Sequence, residues 1–289
     1  MKPARFDFLR ASVVSDVHAV LNEFGATARV LAGGQTLMPM LSMRLVRPKV
    51  VVDIMHLSAL GGITAAGNEI RIGAAVRQAD LLAWPNLATA LPLLHAALPW
   101  VGHAQTRSRG TVCGSVAHAD PSAELPLCLL TLDGAVELSS RRGRRRVPAS
   151  EFLLGTMSTA RADDELIEAI SIPNKKAGAG YAFKEFGRRH GDFAIVACAA
   201  VVSDKAIRIA VGGVADRPER RDFPLLAGKP LADALDAFAW ELDARDDLHA
   251  TARYRRELVR QMGQATIEEA PTYCNVSRNP RPLLRVYDL

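Results

Sequence analysis

The 289-residue chain is 49% hydrophobic, moderately charged and carries a net charge of +5. That length suggests two or three compact units with a real core, and the composition excludes an intrinsically disordered chain. A mild basic excess suits an anionic ligand or an acidic protein partner and does not by itself argue for nucleic acid.

Residues 15–24 predict a helix, because Val17, Val20, Leu21 and Phe24 form one apolar stripe. Ser15 or Asp16 is placed to cap its start, and Gly25 sits at the C′ position. A strand over 28–32 follows, then Gly33-Gly34-Gln35-Thr36, a short helix over 37–44 and a strand over 49–54. Pro39 falls in the first helical turn, where proline is tolerated. A strand is expected over 69–73 and helices over 76–84 and 91–101. A second polar, glycine-bearing stretch, TRSRGTVCGSVAHADPSAELP, spans 106–126. Strands near 135–139 and 165–172 enclose RRGRRRVPAS, and NKKAGAG at 174–180 has the composition of a linker. Beyond it, 193–202 and 206–214 are apolar β-like runs separated by Ser203-Asp204-Lys205, a hairpin signal. Helices are expected over 233–243 and 251–265. The pattern is α+β with segregated units rather than a regular βαβα alternation.

Several chemistries are disfavoured. No two of the four cysteines, Cys113, Cys128, Cys198 and Cys274, form a C-x-x-C pair, so no zinc ribbon or cluster-bearing loop is expected. Isolated thiols suit a reducing cytoplasm. The N-terminus shows no apolar signal region and no uncharged run is long enough to span a bilayer, so the expectation is a cytoplasmic protein without membrane association. His103, His118 and Asp120 match no ligand spacing, and no metal is assigned. Arg141, Arg142, Arg144, Arg145 and Arg146 lack interleaved aromatics, so a solvated hairpin tip is favoured over a nucleic-acid patch. Arg188-Arg189-His190 reads as an exposed turn. There is no nucleophilic triad, no H-E-x-x-H and no evident carboxylate pair, and no residue is assigned a catalytic role.

The two glycine-bearing stretches carry the chemistry. A diphosphate needs several N–H donors at close range, and glycine is favoured wherever backbone must touch a ligand. Gln35 and Thr36 add side-chain donors, and a strand before and a helix after would complete an anion site. Alone, a Gly-Gly turn is as readily a simple chain reversal. Neither a G-x-x-x-x-G-K-[ST] loop nor a G-x-G-x-x-G after a strand is present. A second such stretch, RGTVCGSVAHADP, offers Thr111, Gly114 and Ser115, and the two together suit one long ligand gripped from both sides.

At this point LAGGQTLMPMLSMRLVRP and TRSRGTVCGSVAHADPSAELP closely resemble the FAD-binding signatures of the flavoprotein, or medium, subunit of molybdenum hydroxylases. This is the family of carbon monoxide dehydrogenase and of the FAD domain of xanthine dehydrogenase. FKEFGRRHGDFAIVACAAVV at 183–202 and ARYRRELVRQM at 252–262 resemble its C-terminal domain, so the likeness covers nearly all the chain up to about Ala270.

The resemblance implies an α+β fold: a two-subdomain FAD-binding unit of the PCMH/vanillyl-alcohol-oxidase type, followed by a C-terminal α+β domain with an antiparallel sheet. The implied divisions are 1–56, 57–176 and 177–289. Leu31, Ala32, Gly33, Gly34, Gln35, Thr36 and Leu37 would meet the diphosphate and nearby ribityl oxygens, with Thr111, Cys113, Gly114 and Ser115 as the second clamp. Glu124, and less directly Asp120, would meet the ribityl hydroxyls, while Lys184 and Asp192 would border the isoalloxazine or its entrance. Cys113 stands where the family usually has a glycine, which raises two readings: Gly114 alone supplies a special conformation, or the loop is remodelled. A buried, inert thiol is the favoured state, and Cys113→Gly is expected to be tolerated.

The implied function is electron transfer. FAD in this chain would take electrons from [2Fe–2S] clusters of a small iron–sulfur subunit and deliver them to an external acceptor, while a large molybdenum subunit carrying molybdopterin acts on the organic substrate. A stand-alone flavin oxidoreductase and a basic anion- or nucleic-acid-binding module are the alternatives.

Overall fold

The structure is a computed structural model that describes residues 2–273. Cys274 and the remainder of the terminal tail lie outside the described residues.

The first region comprises β1 (Asp7–Arg10), α1 (Val14–Phe24), β2 (Ala28–Leu31), α2 (Leu37–Ser42) and β3 (Val50–Asp53). Its parallel sheet has the order β1-β3-β2. α1 begins one residue earlier than the stripe suggests, with Val13 as N-cap. The Asp16 carboxylate reaches back to accept from the Ser12 and Val13 amides at 2.8 and 3.1 Å, so Asp16 satisfies the helix start from inside the first turn.

The second region holds β4 (Ile63–Ala66), β5 (Glu69–Gly73), α3 (Gln78–Leu82), α4 (Leu87–Ala90), α5 (Pro92–Ala97), α6 (Ala104–Arg107), α7 (Val112–His118) and α8 (Glu124–Thr131). It continues with β6 (Ala135–Ser140), β7 (Gly143–Pro148), α9 (Ala149–Phe152), β8 (Leu153–Gly155), β9 (Ser158–Thr159) and β10 (Leu166–Pro173). The main sheet is antiparallel, ordered β4-β5-β10-β6-β7.

Three expectations are corrected here. The helix expected over 76–84 contracts to α3, and the one over 91–101 breaks into α5 and a 3₁₀ turn at Leu98–Trp100, where Pro99 cannot supply an amide. The stretch 106–126 is not an open loop but contains α7 and the ends of two other helices. The arginine run does form the expected exposed hairpin, with Arg141 and Arg142 in the turn between β6 and β7, and Arg144, Arg145 and Arg146 lie along β7. They pair with Glu168, Glu165 and Glu69 at 3.3, 2.6 and 2.5 Å, and Arg142 pairs with Asp164 at 2.7 Å.

The third region comprises β11 (Gly180–Phe186), β12 (Val196–Val202), β13 (Ala206–Gly212), β14 (Glu219–Pro224), α10 (Gly228–Glu241) and α11 (Ala252–Tyr273). The strands form an antiparallel sheet in sequence order. Both faces are covered. Val196, Cys198, Ala200 and Val202 pack with Leu235, Phe238 and Val259 of α10 and α11, whereas Ala197 and Ala199 turn into the core shared with α5 and α8. A strand buried on both sides carries no polar alternation, which is why β12 reads as an unbroken apolar run. Alanines on the inner face let the helices approach closely.

Polar contacts fix the seam between the second and third regions. Gly213 N–H donates to Pro121 O at 2.8 Å, and Asp133 pairs with both Arg208 and Arg220. Arg255, 3% exposed, donates to Ile195 O and Gly213 O, each at 2.6 Å, and pairs with Asp247 at 2.5 Å. It thereby ties the entry to β12 to the exit from β13. Among the described residues no helix is long and apolar enough to cross a membrane.

Replacing Arg255 by Met strands both carbonyls. We expect a loss of about 2–4 kcal/mol in unfolding free energy by urea titration, since each orphaned acceptor costs about 1–3 kcal/mol. An unchanged midpoint excludes the clamp.

Candidate cofactor site

Strand β2 ends at Leu31, whose carbonyl accepts from Ile54 N–H at 3.0 Å, and the chain turns through Ala32–Thr36 into α2. The two glycines do different work. Gly34 has φ +71°, a left-handed conformation that other residues adopt only at a cost of about 1–2 kcal/mol. Gly33 is needed for room: a Cβ there would lie 2.2 Å from Arg109 O and 2.6 Å from Gly110 Cα. The first loop therefore meets the second, backbone against backbone.

The turn is a row of open donors. Among the described residues, the amides of Ala32, Gly33, Gly34, Gln35 and Thr36 donate no hydrogen bond. Met38 N–H caps back to Gly34 O at 3.0 Å, and the Gln35 carboxamide donates to Gly33 O at 3.2 Å, holding the turn in shape. Ala32, Gly33, Gly34 and Thr36 are half-buried. Successive free N–H groups in a concave turn bind anions.

In the second loop, the Thr111 hydroxyl accepts from Gly114 N–H at 3.0 Å and so caps α7. A Cβ on Gly114 would lie 2.6 Å from that hydroxyl oxygen, so glycine is needed there to close the cap. Neither reading of Cys113 raised by the sequence is what the structure shows. Neither Cys113 nor Gly114 has a left-handed φ, and both sit in ordinary helix. The Cys113 thiol points away from the first loop into the core, 3.5 Å from Ile72 O, and burial pushes its pKa up to about 12. Ser115 follows on the half-buried side of the same helix.

The turn between β11 and β12 packs on the segment that leads into α6. A Cβ on Gly191, at φ +88°, would fall 2.5 Å from the His103 ring, and His190 stacks on Trp100 with ring centroids 5.3 Å apart. Arg107 anchors the facing segment by donating to Val101 O and Gly102 O, each at 2.9 Å. Asp192 lies on this turn near Arg189, at 3.7 Å, and Phe193 beside it is 66% exposed.

Beyond α7 the chain passes Ala119, left-handed at φ +50°, and Asp120, which accepts from Ser122 N–H at 2.8 Å to set the turn into α8. Glu124 opens α8 and is buried, and burial, with Asp120 adding, raises its pKa to about 7. Across the seam Glu185 is raised to about 8, by burial first and by Glu124 second. The sequence suggested no paired carboxylates; the fold brings Glu185 within electrostatic reach of Glu124. Lys184, expected at the border of the site, lies on the opposite face of β11 and pairs with Glu269 of α11 at 2.5 Å. Side chains alternate along a strand, so Glu185 rather than Lys184 shares the inward face with Phe183. Sequence reasoning also passed over Arg109 and Gly110, although RGT stood at the head of the second signature.

These loops are matched by a family model described as "FAD binding domain in molybdopterin dehydrogenase" over residues 4–175, and 181–270 match "CO dehydrogenase flavoprotein C-terminal domain". The chain belongs to this family of molybdopterin-dehydrogenase flavoproteins. It is 37% identical over 283 residues to the 6-hydroxypseudooxynicotine dehydrogenase complex subunit alpha of Paenarthrobacter nicotinovorans, covering 93% of this chain and 96% of the relative. It is 38% identical over 257 residues to the nicotine 6-hydroxylase medium subunit of the same organism, covering 84% and 89%. The solved carbon monoxide dehydrogenase of Hydrogenophaga pseudoflava, a form lacking the Mo-pyranopterin moiety, superposes with a TM-score of 0.89 at 32% identity, covering 95% of this chain and all of that one. The protein is thus an FAD-binding medium subunit of the molybdenum-hydroxylase type, an oxidoreductase component.

Two outcomes follow. Cys113→Gly leaves a core cavity and a glycine inside α7, so we expect a loss of about 2 kcal/mol by chemical denaturation with FAD affinity retained. Glu124 and Glu185 hold protons in the folded chain that the unfolded chain has released above its ordinary value of 4.5. The contribution of these two groups to stability therefore falls as pH rises from about 4.5 to about 8 and levels off beyond. Glu185→Gln should flatten that decline in melting temperatures taken between about pH 5 and about pH 9; parallel curves for variant and parent contradict it.

Proposed function

We propose that this chain holds FAD across its two loops and relays electrons from [2Fe–2S] clusters of a small iron–sulfur partner to an external acceptor, with a large molybdenum-bearing partner acting on the organic substrate. The observation that carries the reading is the contact of Gly33 with the Arg109–Gly110 backbone beside the row of open amides. The residues present fit the cofactor: a backbone contact that admits no side chain, a neighbouring row of donors without partners, and no fixed cation needed to hold an anion.

In this reading the amides of Ala32, Gly33, Gly34, Gln35 and Thr36 take the diphosphate, with Leu31 and Leu37 bounding the turn. Thr111, Gly114 and Ser115 shape the second side, Cys113 contributes backbone only, and Glu124 takes a ribityl hydroxyl. Bound FAD supplies a redox carrier able to exchange electrons singly or in pairs. The chain's own part is to fix that carrier, screen it from water along the loops and leave an edge open at the turn bearing His190 and Phe193. The division at 56/57 and 176/177 belongs to the same proposal.

Gly33→Val and Gly34→Val should weaken FAD binding by about a hundred-fold or more while the chain stays soluble, read by flavin fluorescence and gel filtration. Normal retention by both variants rejects the loop assignment. In the complex isolated with its partners, anaerobic addition of substrate should bleach the flavin absorbance; flavin that stays oxidised while the iron–sulfur signal is reduced ends the relay reading.

A further inference from the structure

Gln78, the first residue of α3, is 5% exposed and lies directly behind the second loop. Its N–H donates to Gly110 O at 2.8 Å, and Val112 N–H donates to Val76 O at 3.0 Å. Segments 76–78 and 110–112 thus form a short antiparallel ladder around the Arg77–Thr111 bridge. A Cβ on Gly110 would lie 3.0 Å from Thr106 O, 3.1 Å from Gln78 Oε1 and 3.3 Å from Gln78 Cδ, so the carboxamide and the Thr106 carbonyl together fill the volume a side chain at 110 would need. On its other flank Gly110 Cα faces Gly33. The Gly110 peptide is held between the two.

Gln78 Oε1 is itself buried and receives no hydrogen bond among the described residues. Buried acceptors without a donor are rare, and departures from local optimality concentrate at functional positions. The fold gains no hydrogen bond at this oxygen; what the side chain supplies is a wall behind Gly110.

We propose that Gln78 is a positioning residue of the cofactor site, propping Gly110 against Gly33 so that the two loops keep the backbone contact beside which the diphosphate binds. The inference rests on reading those loops as the FAD cradle. Gln78 acts through Gly110 and does not itself touch the cofactor.

The test uses the full chain, with FAD affinity from flavin fluorescence and melting of the FAD-free protein as separate readouts. Gln78→Ala should weaken FAD binding by about ten-fold with little change in the melting of the FAD-free chain. Gln78→Met refills the volume and should restore affinity to within about two-fold of the parent. Gly110→Ala drives a methyl against the carboxamide and also weakens binding. In Gln78→Ala/Gly110→Ala that methyl loses its contact with the carboxamide and keeps only the one with Thr106 O, so the double variant should lose less than the product of the single losses. Three results overturn the proposal: parental affinity in Gln78→Ala, losses that multiply in the double variant, or melting temperatures that fall in step with affinity throughout. A parent chain that takes up no FAD rejects the proposed function itself, and the inference with it.

Discussion

The approach of Gly33 to the Arg109–Gly110 peptide is the constraint on which the site depends. Two segments far apart in sequence come so close that a single methyl on Gly33 would overlap a carbonyl oxygen. With side chains excluded, the surface between them is made of main chain, and main-chain amides become its chemistry. Gly34 then turns the chain with a left-handed φ, and the amides from Ala32 to Thr36 stay clear of partners. Open donors are tolerated because the turn is half-buried and reached by solvent; a fully enclosed row would be costly. The same economy of side chains recurs at Gly114, where the Thr111 hydroxyl takes the volume a Cβ would occupy.

The third region is joined to the second by packing and by polar locks, and Glu124 and Glu185 lie on that seam. Alanines on β12 and β13 allow α8 to approach, Asp133 draws in Arg208 and Arg220, and Gly213 bonds to Pro121. The seam also carries unfavourable groups. Glu124 and Glu185 are held where burial resists their ionisation, and Ala119 is held left-handed although it has a Cβ. Locally poor choices of this kind persist only when surrounding packing over-determines them, and they gather around sites that handle ligands.

Much of this was legible in the residues. β5 was read with its observed bounds, and the β2–turn–α2 unit and the β12–β13 hairpin were read with small shifts at their ends, because their apolar periods and punctuating glycines agree. β1 and β14 were missed for a common reason: both are edge strands, and Glu219–Pro224 is laden with charge while Asp7–Arg10 is exposed throughout. Edge strands avoid the apolar alternation that reveals inner ones. α8 was hidden by the opposite cause, since every one of its residues is buried and no amphipathic period survives. The candidate loop residues came from the glycine pattern together with the family resemblance, but the side of β11 facing the seam was not legible. Parity settles it: Tyr181 and Phe183 face inward, so Glu185 does too and Lys184 cannot.

The distribution of charge explains why the site is made from backbone. The chain has a net charge of +5, yet its densest basic run is bound along β7 to Glu69, Glu165 and Glu168, and further arginines serve the seam. Those cations are occupied in holding sheets together. An anion placed against the Ala32–Thr36 turn, beside the Gly33–Gly110 contact, is therefore met by oriented N–H dipoles whose positions are fixed by the fold. Partial charges on a rigid backbone need no side-chain ordering when the ligand arrives, so recognition turns on geometry more than on net charge. A backbone site of this kind can hold an extended, diphosphate-bearing molecule without burying a full positive charge against the diphosphate.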